Sequence, residues 1–503
     1  MRDLANTKDR QKIDLVSQKN YSIPGIVLME NAARSCWEAI TDFLSQKTRG
    51  QETGIVVIAG PGNNGGDGLS IARRAGYAGF PVIVVHCGEW KSDLARVQYE
   101  MLAASGFAFC DWKTNWAAAE SAIKSADLVI DAMFGSGLSR SVGGDYLPIV
   151  SLINSVDRQQ AFVISVDIPS GLFAGFNPQT DICVQADLTC AVSPADIALY
   201  TPAYRSYAGR IVHVDAGFPP SACDQYSGQH RLCEVMDKVL FETRLEATAY
   251  KNSRGHVAVY AGSVQWPGAA VLAAKAAGLG AAGRVSLMAD EKIIPLLGTQ
   301  LVSTVIGNNE GSLPPGATAL LVGCGWGQEP GRRDLLRKLI SQQKPMVLDA
   351  DALIVMAELE EDIQQYSSIP LVMTPHPGEL AIISGNTVKY VLENFAATLM
   401  EVAQKFNAVV VGKSHVTCVV HPQKGCFWVD GMTPALGTAG SGDILAGLIG
   451  AELAADGDPL RAALYGVLSH VEAGKKISKG PAELLLESLK DGLLINGSDI
   501  IDA

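Results

Sequence analysis

At 503 residues the chain exceeds a single domain of ordinary size and points to two large ones. With 48% apolar and 18% charged residues it reads as a soluble protein with ample core, which excludes a disordered chain. A formal net charge of −12 argues against a nucleic-acid partner, so any phosphate-bearing ligand has to be held locally, by loops and helix ends.

The opening residues, Met1 to Asn6, lack the apolar core of a secretory signal, and no run of about eighteen apolar residues follows, so the expectation is a cytoplasmic protein that does not enter a membrane. The ten cysteines are dispersed without a C-x-x-C pair, and the eight histidines show no H-E-x-x-H spacing. Neither a zinc site nor a redox dithiol is indicated, and the cysteines read mostly as small buried apolar residues.

Residues 26–34, Ile-Val-Leu-Met-Glu-Asn-Ala-Ala-Arg, have helical spacing and are expected to pack on a sheet. Strands rich in Val and Ile then recur at 54–59, 81–86, 128–131, 162–167 and 210–214, each followed by a helical stretch. This alternation predicts stacked βαβ units, a Rossmann-like three-layer sandwich with a parallel sheet.

The first of these strands runs into Gly60-Pro61-Gly62-Asn63-Asn64-Gly65-Gly66-Asp67-Gly68. Gly60, Gly62 and Gly65 satisfy G-x-G-x-x-G, a dinucleotide reading in which Glu89 would meet a ribose. Asn63, Asn64 and Asp67 speak against close backbone packing on a pyrophosphate and for a site that also holds a cation or a sugar hydroxyl. Two later strands end in Asp131-Ala132-Met133-Phe134-Gly135-Ser136-Gly137-Leu138 and Asp167-Ile168-Pro169-Ser170-Gly171-Leu172. Ligands bind beyond the carboxyl ends of an open parallel sheet, so Asn64, Asp131, Asp167 and Ser170 are expected to converge in one crevice.

These three loops, with the upstream Leu-Met-Glu-Asn-Ala-Ala-Arg, resemble the NAD(P)H-hydrate epimerase family over about residues 10 to 220. The resemblance implies a potassium ion on Asn64, Asp131 and Ser170. It also implies a nucleotide substrate with a hydroxyl on C6 of the nicotinamide, contacted by Asn63, Asn64, Gly65, Gly66 and Asp67, by Gly135, Ser136, Gly137, Leu138, Ser139 and Arg140, and by Asp167. C6 bears both a ring nitrogen and a hydroxyl, so loss and return of water or ring opening scrambles the centre once a carboxylate moves the proton. Asp167 is the residue expected to do so. The chain departs from the family at Ser193-Pro194-Ala195, where a Lys-Pro-Gly type segment is usual.

A polar stretch around 224–229 reads as a linker, which gives domains of 1–222 and 228–503. Strands follow at 255–260, 284–288, 319–323, 345–349, 371–374 and 408–411, then a hairpin at 417–421 and 426–429, then long helices. This half is again α/β but richer in helix. Lys413-Ser414 invites a P-loop reading, which fails because Asn407 stands where the first glycine is required. What survives is Gly437-Thr438-Ala439-Gly440-Ser441-Gly442-Asp443 at the start of a helix, where loop N–H groups and the helix dipole can steady a phosphoryl group while Asp443 accepts a hydroxyl proton.

With residues 262–270, Gly323-Cys324-Gly325-Trp326-Gly327, Leu348-Asp349-Ala350-Asp351-Ala352-Leu353, Thr374-Pro375-His376-Pro377-Gly378-Glu379 and Lys413 to Thr417, this loop resembles the ADP-dependent NAD(P)H-hydrate dehydratase family over about residues 230 to 500. The resemblance implies a ribokinase-like fold. It sets the hydrated nucleotide, NADHX or NADPHX, against Ala270, Gly325, His376 and Asp443, and ADP, with magnesium, against Lys413, Ser414, His415, Val416, Thr417 and Gly442. Ala439 and Ser441 replace the family's Gly and Thr, a strain if position 439 needs a positive φ.

The expectation is therefore a bifunctional repair enzyme. The first half would interconvert the R and S C6 hydrates, and the second would dehydrate the S form to NAD(P)H using ADP, releasing AMP and phosphate. The alternative is a ribokinase-like kinase of a small vitamin-type alcohol with a nucleotide-sensing first half. Large apolar helices in both halves suggest a homo-oligomer.

Overall fold

The computed structural model describes residues 1–86, 88–359 and 369–496. The chain divides into two compact units, Arg2–His230 and Arg231–Ala503. Among the described residues no helix is long and apolar enough to cross a membrane.

The first unit is built on a seven-stranded sheet, every neighbour pair parallel, in the order Ala108–Asp111, Val82–His86, Ile55–Ala59, Leu128–Ala132, Phe162–Val166, Leu188–Val192, Arg210–Val214. Its central strands are apolar at every position because both faces are covered. Ile55 and Val57 join a core with the Gly25–Gln46 and Asn63–Tyr77 helices, while Val56 and Ile58 point the other way into a core with Ala119 and Ile149. The doubly wound sandwich is therefore as expected. Chain direction across the sheet reverses between Ile55–Ala59 and Leu128–Ala132, which opens a crevice above the carboxyl ends of those two strands.

Two of its strands were not anticipated. Ala108–Asp111 is a short edge, and Leu188–Val192, a buried Leu-Thr-Cys-Ala-Val, lacks the β-branched run and turn signals that marked the others. The stretch read as a linker is largely a helix, Pro220–Ser227, started by Pro220 at its first turn, ended at Gly228, and packed on the Thr7–Asn20 helix.

The second unit carries strands ordered Val305–Asn308, Arg284–Ala289, His256–Tyr260, Ala319–Val322, Met346–Leu348, Leu371–Met373, Val409–Gly412, Val416–His421, Gly425–Asp430. All pair in parallel except the last two junctions, the predicted hairpin and its docking edge. Val305–Asn308 is a further strand missed in the sequence, on an edge with one valine exposed. The Ser441–Asp456 helix is apolar all round and is accordingly sunk between the Pro267–Leu279 and Pro459–Lys475 helices. The switch point here lies between His256–Tyr260 and Ala319–Val322, beneath the loops that begin at Ala261 and Gly323.

Candidate functional site

In the first unit the crevice deepens into a cavity of about 500 Å³. Its wall holds Asn63, Asn64 and Asp67 from the glycine loop and first helical turn, Gly135 to Leu138 from the second loop, and Asp167 from the third. The Gly25–Gln46 helix packs on the sheet as expected and also lends Leu28, Met29 and Ala32 to the wall.

Asp167 holds the centre. Its backbone is left-handed, φ 69°, a conformation that costs a non-glycine residue about 1–3 kcal/mol and gathers at functional sites. Arg10 Nη2 donates to Oδ1 at 2.6 Å and Nη1 to Oδ2 at 3.3 Å, while the Ser136 N–H donates to Oδ2 at 2.8 Å. Burial alone would raise this carboxyl, but the Arg10 charge and hydrogen bond, with the Ser136 N–H, hold it below the ordinary carboxylate range. Arg10 is anchored in turn on the Val192 carbonyl at 3.1 Å. Gly135 leaves room beside it: a Cβ there would stand 2.8 Å from Asp167 Oδ2 and 3.3 Å from Asn64 Oδ1, so a larger residue would displace that carboxylate.

Asn64 is buried, and neither its amide nitrogen nor its oxygen has a hydrogen-bond partner among the described residues. Asp131 and Ser170 are fully buried and hydrogen-bonded to each other: Ser170 Oγ donates to Asp131 Oδ1 at 2.5 Å and the Ser170 N–H to Oδ2 at 2.8 Å. Ser165 Oγ and the Met133 N–H complete the carboxylate's donors. Burial pushes Asp131 up, with the Ser170 donors opposing.

Gly65 and Gly66 are buried and do not line the cavity, and Ser139 and Arg140 are exposed outside its wall. Arg10, Asp14 and Gln18, which do line it, escaped the sequence reading. The available signal was an Asn6-capped helix, Thr7–Asn20, that repeats polar residues every fourth position beside the buried Ile13 and Ser17.

In the second unit the strand ends gather a different cluster. Asp349 Oδ1 accepts from Lys413 Nζ and from Thr374 Oγ1, each at 2.6 Å, and Cys324 Sγ lies 3.5 Å from its Oδ2. The Lys413 ammonium lies 3.9 Å from Glu379. Gly442 faces this ammonium, 3.4 Å from where its Cβ would stand. Cys324, Asp349 and Asp443 offer ligand atoms all within 4.8 Å of one another. Burial and the Asp349 charge push the Asp443 carboxyl up to about 7, against Lys413. Ala350, between the two aspartates of the Asp349–Asp351 turn, is again left-handed, φ 47°.

The left-handed position of the loop that opens the Ser441–Asp456 helix is Gly440, φ 93°, so Ala439 carries no strain of that kind. His376 caps the Pro377–Ser384 helix, its Nδ1 accepting from the Gly378 and Glu379 N–H groups, yet its side chain is 56% exposed. Gly325, Ser414 and His415 reach the surface, Thr417 is buried with its hydroxyl on the Ser414 carbonyl, and Ala270 and Val416 are wholly buried. Cys324 sits beside Asp349 and Asp443; most of the other described cysteines are buried and none is in a disulfide.

A family model described as NAD(P)H-hydrate dehydratase matches residues 257–493, and one described as YjeF-related protein N-terminus matches residues 25–195. The chain is 29% identical to the bifunctional NAD(P)H-hydrate repair enzyme Nnr of Moorella thermoacetica, over 95% of this chain and 92% of that protein. It is 32% identical to the protein of the same name from Hyperthermus butylicus, over 91% of this chain and 86% of that one. Among solved structures it is similar to an ADP/ATP-dependent NAD(P)H-hydrate dehydratase of Bacillus subtilis co-crystallized with ATP/Mg2+, at 24% identity and a TM-score of 0.47, over 52% of this chain and 96% of that one.

Proposed function

The chain belongs to the family of bifunctional NAD(P)H-hydrate repair enzymes, and from that premise we propose that the Asp167 cavity exchanges the R and S hydrates while the Asp443 cluster removes the C6 hydroxyl of the S form at the expense of ADP. The observation that carries this reading is Asp167 itself, a carboxylate kept ionised at the wall of a nucleotide-sized cavity, beside a buried amide that lacks partners. A base that already holds its negative charge can take the proton of the C6 hydroxyl and return it.

A potassium ion fits the first site. Asn64 Oδ1 is an unused buried oxygen, and Asp131 is a fully buried carboxylate whose donors among the described residues are all neutral. Asn64 and Ser170 would hold the ion, with Asp131 balancing its charge. Bound there, it would fix the three loops against one another. The substrate contacts proposed for this site are Asn63, Asn64, Asp67, Gly135 to Leu138 and Asp167.

In the second site Asp443 takes the C6 hydroxyl proton as the oxygen attacks the β-phosphorus of ADP, and AMP leaves. The ring nitrogen's lone pair then expels phosphate from C6, and loss of the C5 proton closes the double bond of the reduced nicotinamide. Hydroxide would be a far poorer leaving group than phosphate. Lys413 and the N–H groups of Gly440 and Gly442 are suited to the diphosphate, the Ser441 N–H being engaged by the Thr438 carbonyl. Magnesium fits as a companion of that diphosphate and not as a resident of the Cys324–Asp349–Asp443 cluster, because Lys413 already occupies Asp349 Oδ1 and a thiol is a poor magnesium ligand.

The test is incubation with a mixture of both hydrate epimers, following recovery of the reduced-nicotinamide absorbance and the epimer ratio. With ADP the whole mixture should return to NADH or NADPH; without ADP the epimers should exchange and no absorbance should return. Consumption that stops once the S form is used up, with no exchange, would remove the first activity, and recovery independent of ADP would remove the second.

A further inference from the structure

We propose that Asp67 is a second catalytic residue of the epimerase cavity, the acid that works opposite Asp167, and that Arg10 is the positioning residue that makes Asp167 the base of the pair. This inference rests on the epimerase reading of the cavity and adds roles to it.

Asp67 and Asp167 line the same cavity but live in different surroundings. The guanidinium fork of Arg10 grips Asp167 alone, through both of its oxygens, and is itself fixed by the Val192 carbonyl. The Asp67 carboxyl, on the first helical turns after the glycine loop, makes no hydrogen bond or ion pair among the described residues. The charged and titratable groups that face it are Asp14 and Arg10 from the Thr7–Asn20 helix, Glu30 and the Cys36 thiol from the Gly25–Gln46 helix, and Asp167. Glu30 is already engaged by Arg73 and Arg74, so the free field at Asp67 is that of two other carboxylates, offset in part by Arg10. Burial and the Asp167 charge push the Asp67 carboxyl well up, while Arg10 and the Ser136 N–H hold Asp167 down, with Asp196 as a further acid near it. Two carboxyls whose environments drive them apart are suited to opposite proton-transfer tasks.

The pair closes a balanced cycle. Asp167 takes the proton of the C6 hydroxyl, the C6–O bond becomes a carbonyl, the C6–N1 electron pair moves onto N1, and N1 takes the proton of Asp67. Rotation about C5–C6 presents the other face of the aldehyde. N1 then attacks the carbonyl carbon, its proton returns to Asp67, and the oxygen takes back the proton held by Asp167. No water has to be stored, and each carboxyl ends in its starting state.

The experiment uses the full-length enzyme and one purified hydrate epimer, with exchange measured from acid to alkaline pH. The unmutated enzyme should give a bell, its low-pH limb reporting ionisation of Asp167 and its high-pH limb ionisation of Asp67. Asp67→Asn should lower kcat by about 100-fold or more with KM little changed, and should lose the high-pH limb. Asp67→Glu, which keeps an acid, should retain that limb. Arg10→Met should move the low-pH limb to higher pH, and Arg10→Lys should bring it part of the way back. An Asp67→Asn enzyme that melts normally and keeps the wild-type kcat and both limbs, or that changes only KM, would overturn the role of Asp67. An Arg10→Met enzyme with an unmoved low-pH limb would overturn that of Arg10. If the unmutated enzyme exchanges no epimers at all, it is the epimerase reading that fails.

Discussion

The carboxyl of Asp443 is pushed up to about 7 by burial and by the neighbouring Asp349. It can act as a base only after losing its proton, so kcat/KM for ADP-dependent dehydration should rise as pH climbs through about 7 and fall below it. Asp443→Asn should lower kcat by about 100- to 10,000-fold and remove that limb; a variant that keeps the limb would take Asp443 out of the proton transfer. The raised value also works against the fold: this group's contribution to stability is complete below the unfolded carboxylate value and is lost as pH rises through about 7. Lys413 makes a different point. It is nearly buried on Asp349, and replacing it with Met would strand a carboxylate that is 2% exposed. Breaking such a pair typically costs about 3–5 kcal/mol, so Lys413→Met should shift the denaturant midpoint of the second unit as well as weaken ADP binding. An unchanged midpoint would mean that Asp349 finds other compensation.

At the level of elements, the loop that opens the Ser441–Asp456 helix depends on one left-handed residue. A Cβ on Gly440 would be strained by about 1–2 kcal/mol through its φ of 93° and would stand 2.5 Å from Leu272 Cδ1. Gly440→Ala should therefore lower the melting temperature of this half by a few degrees and slow dehydration, while epimer exchange stays as it was. Normal dehydration in the variant would show that the loop tolerates a second conformation. The need for a glycine in this loop was readable in the sequence, but which of its residues carries the turn was not, since φ is set by how the helix docks. The same divide runs through the fold. Val- and Ile-rich strands covered on both faces announced themselves, whereas Leu188–Val192 and the edges Ala108–Asp111 and Val305–Asn308 carry too little β-branched pattern to stand out. Asp131 and Ser170 were legible because short motifs follow each strand. Arg10 was not, because its meaning comes only from a contact with Asp167, 157 residues away.

For the whole molecule, the two carboxylates lie in separate units, and the proposed chemistry passes a free hydrate from one to the other. Each can therefore be silenced alone. With mixed epimers and ADP, Asp167→Asn should convert the S form and then stall, apart from whatever exchange the epimers undergo unaided. Asp443→Asn should keep the epimers exchanging and restore no absorbance. Combining the two variants should return the complete mixture to NAD(P)H, since the defect of each is supplied by the intact half of the other through solution. The rate of that recovery measures how the intermediate travels: a rate that scales with total protein concentration signals release and recapture, as expected for two sites that each bind the hydrate on their own. Failure of the combined variants to complete the conversion, although each retains its single activity, would mean that the hydrate must stay within one chain.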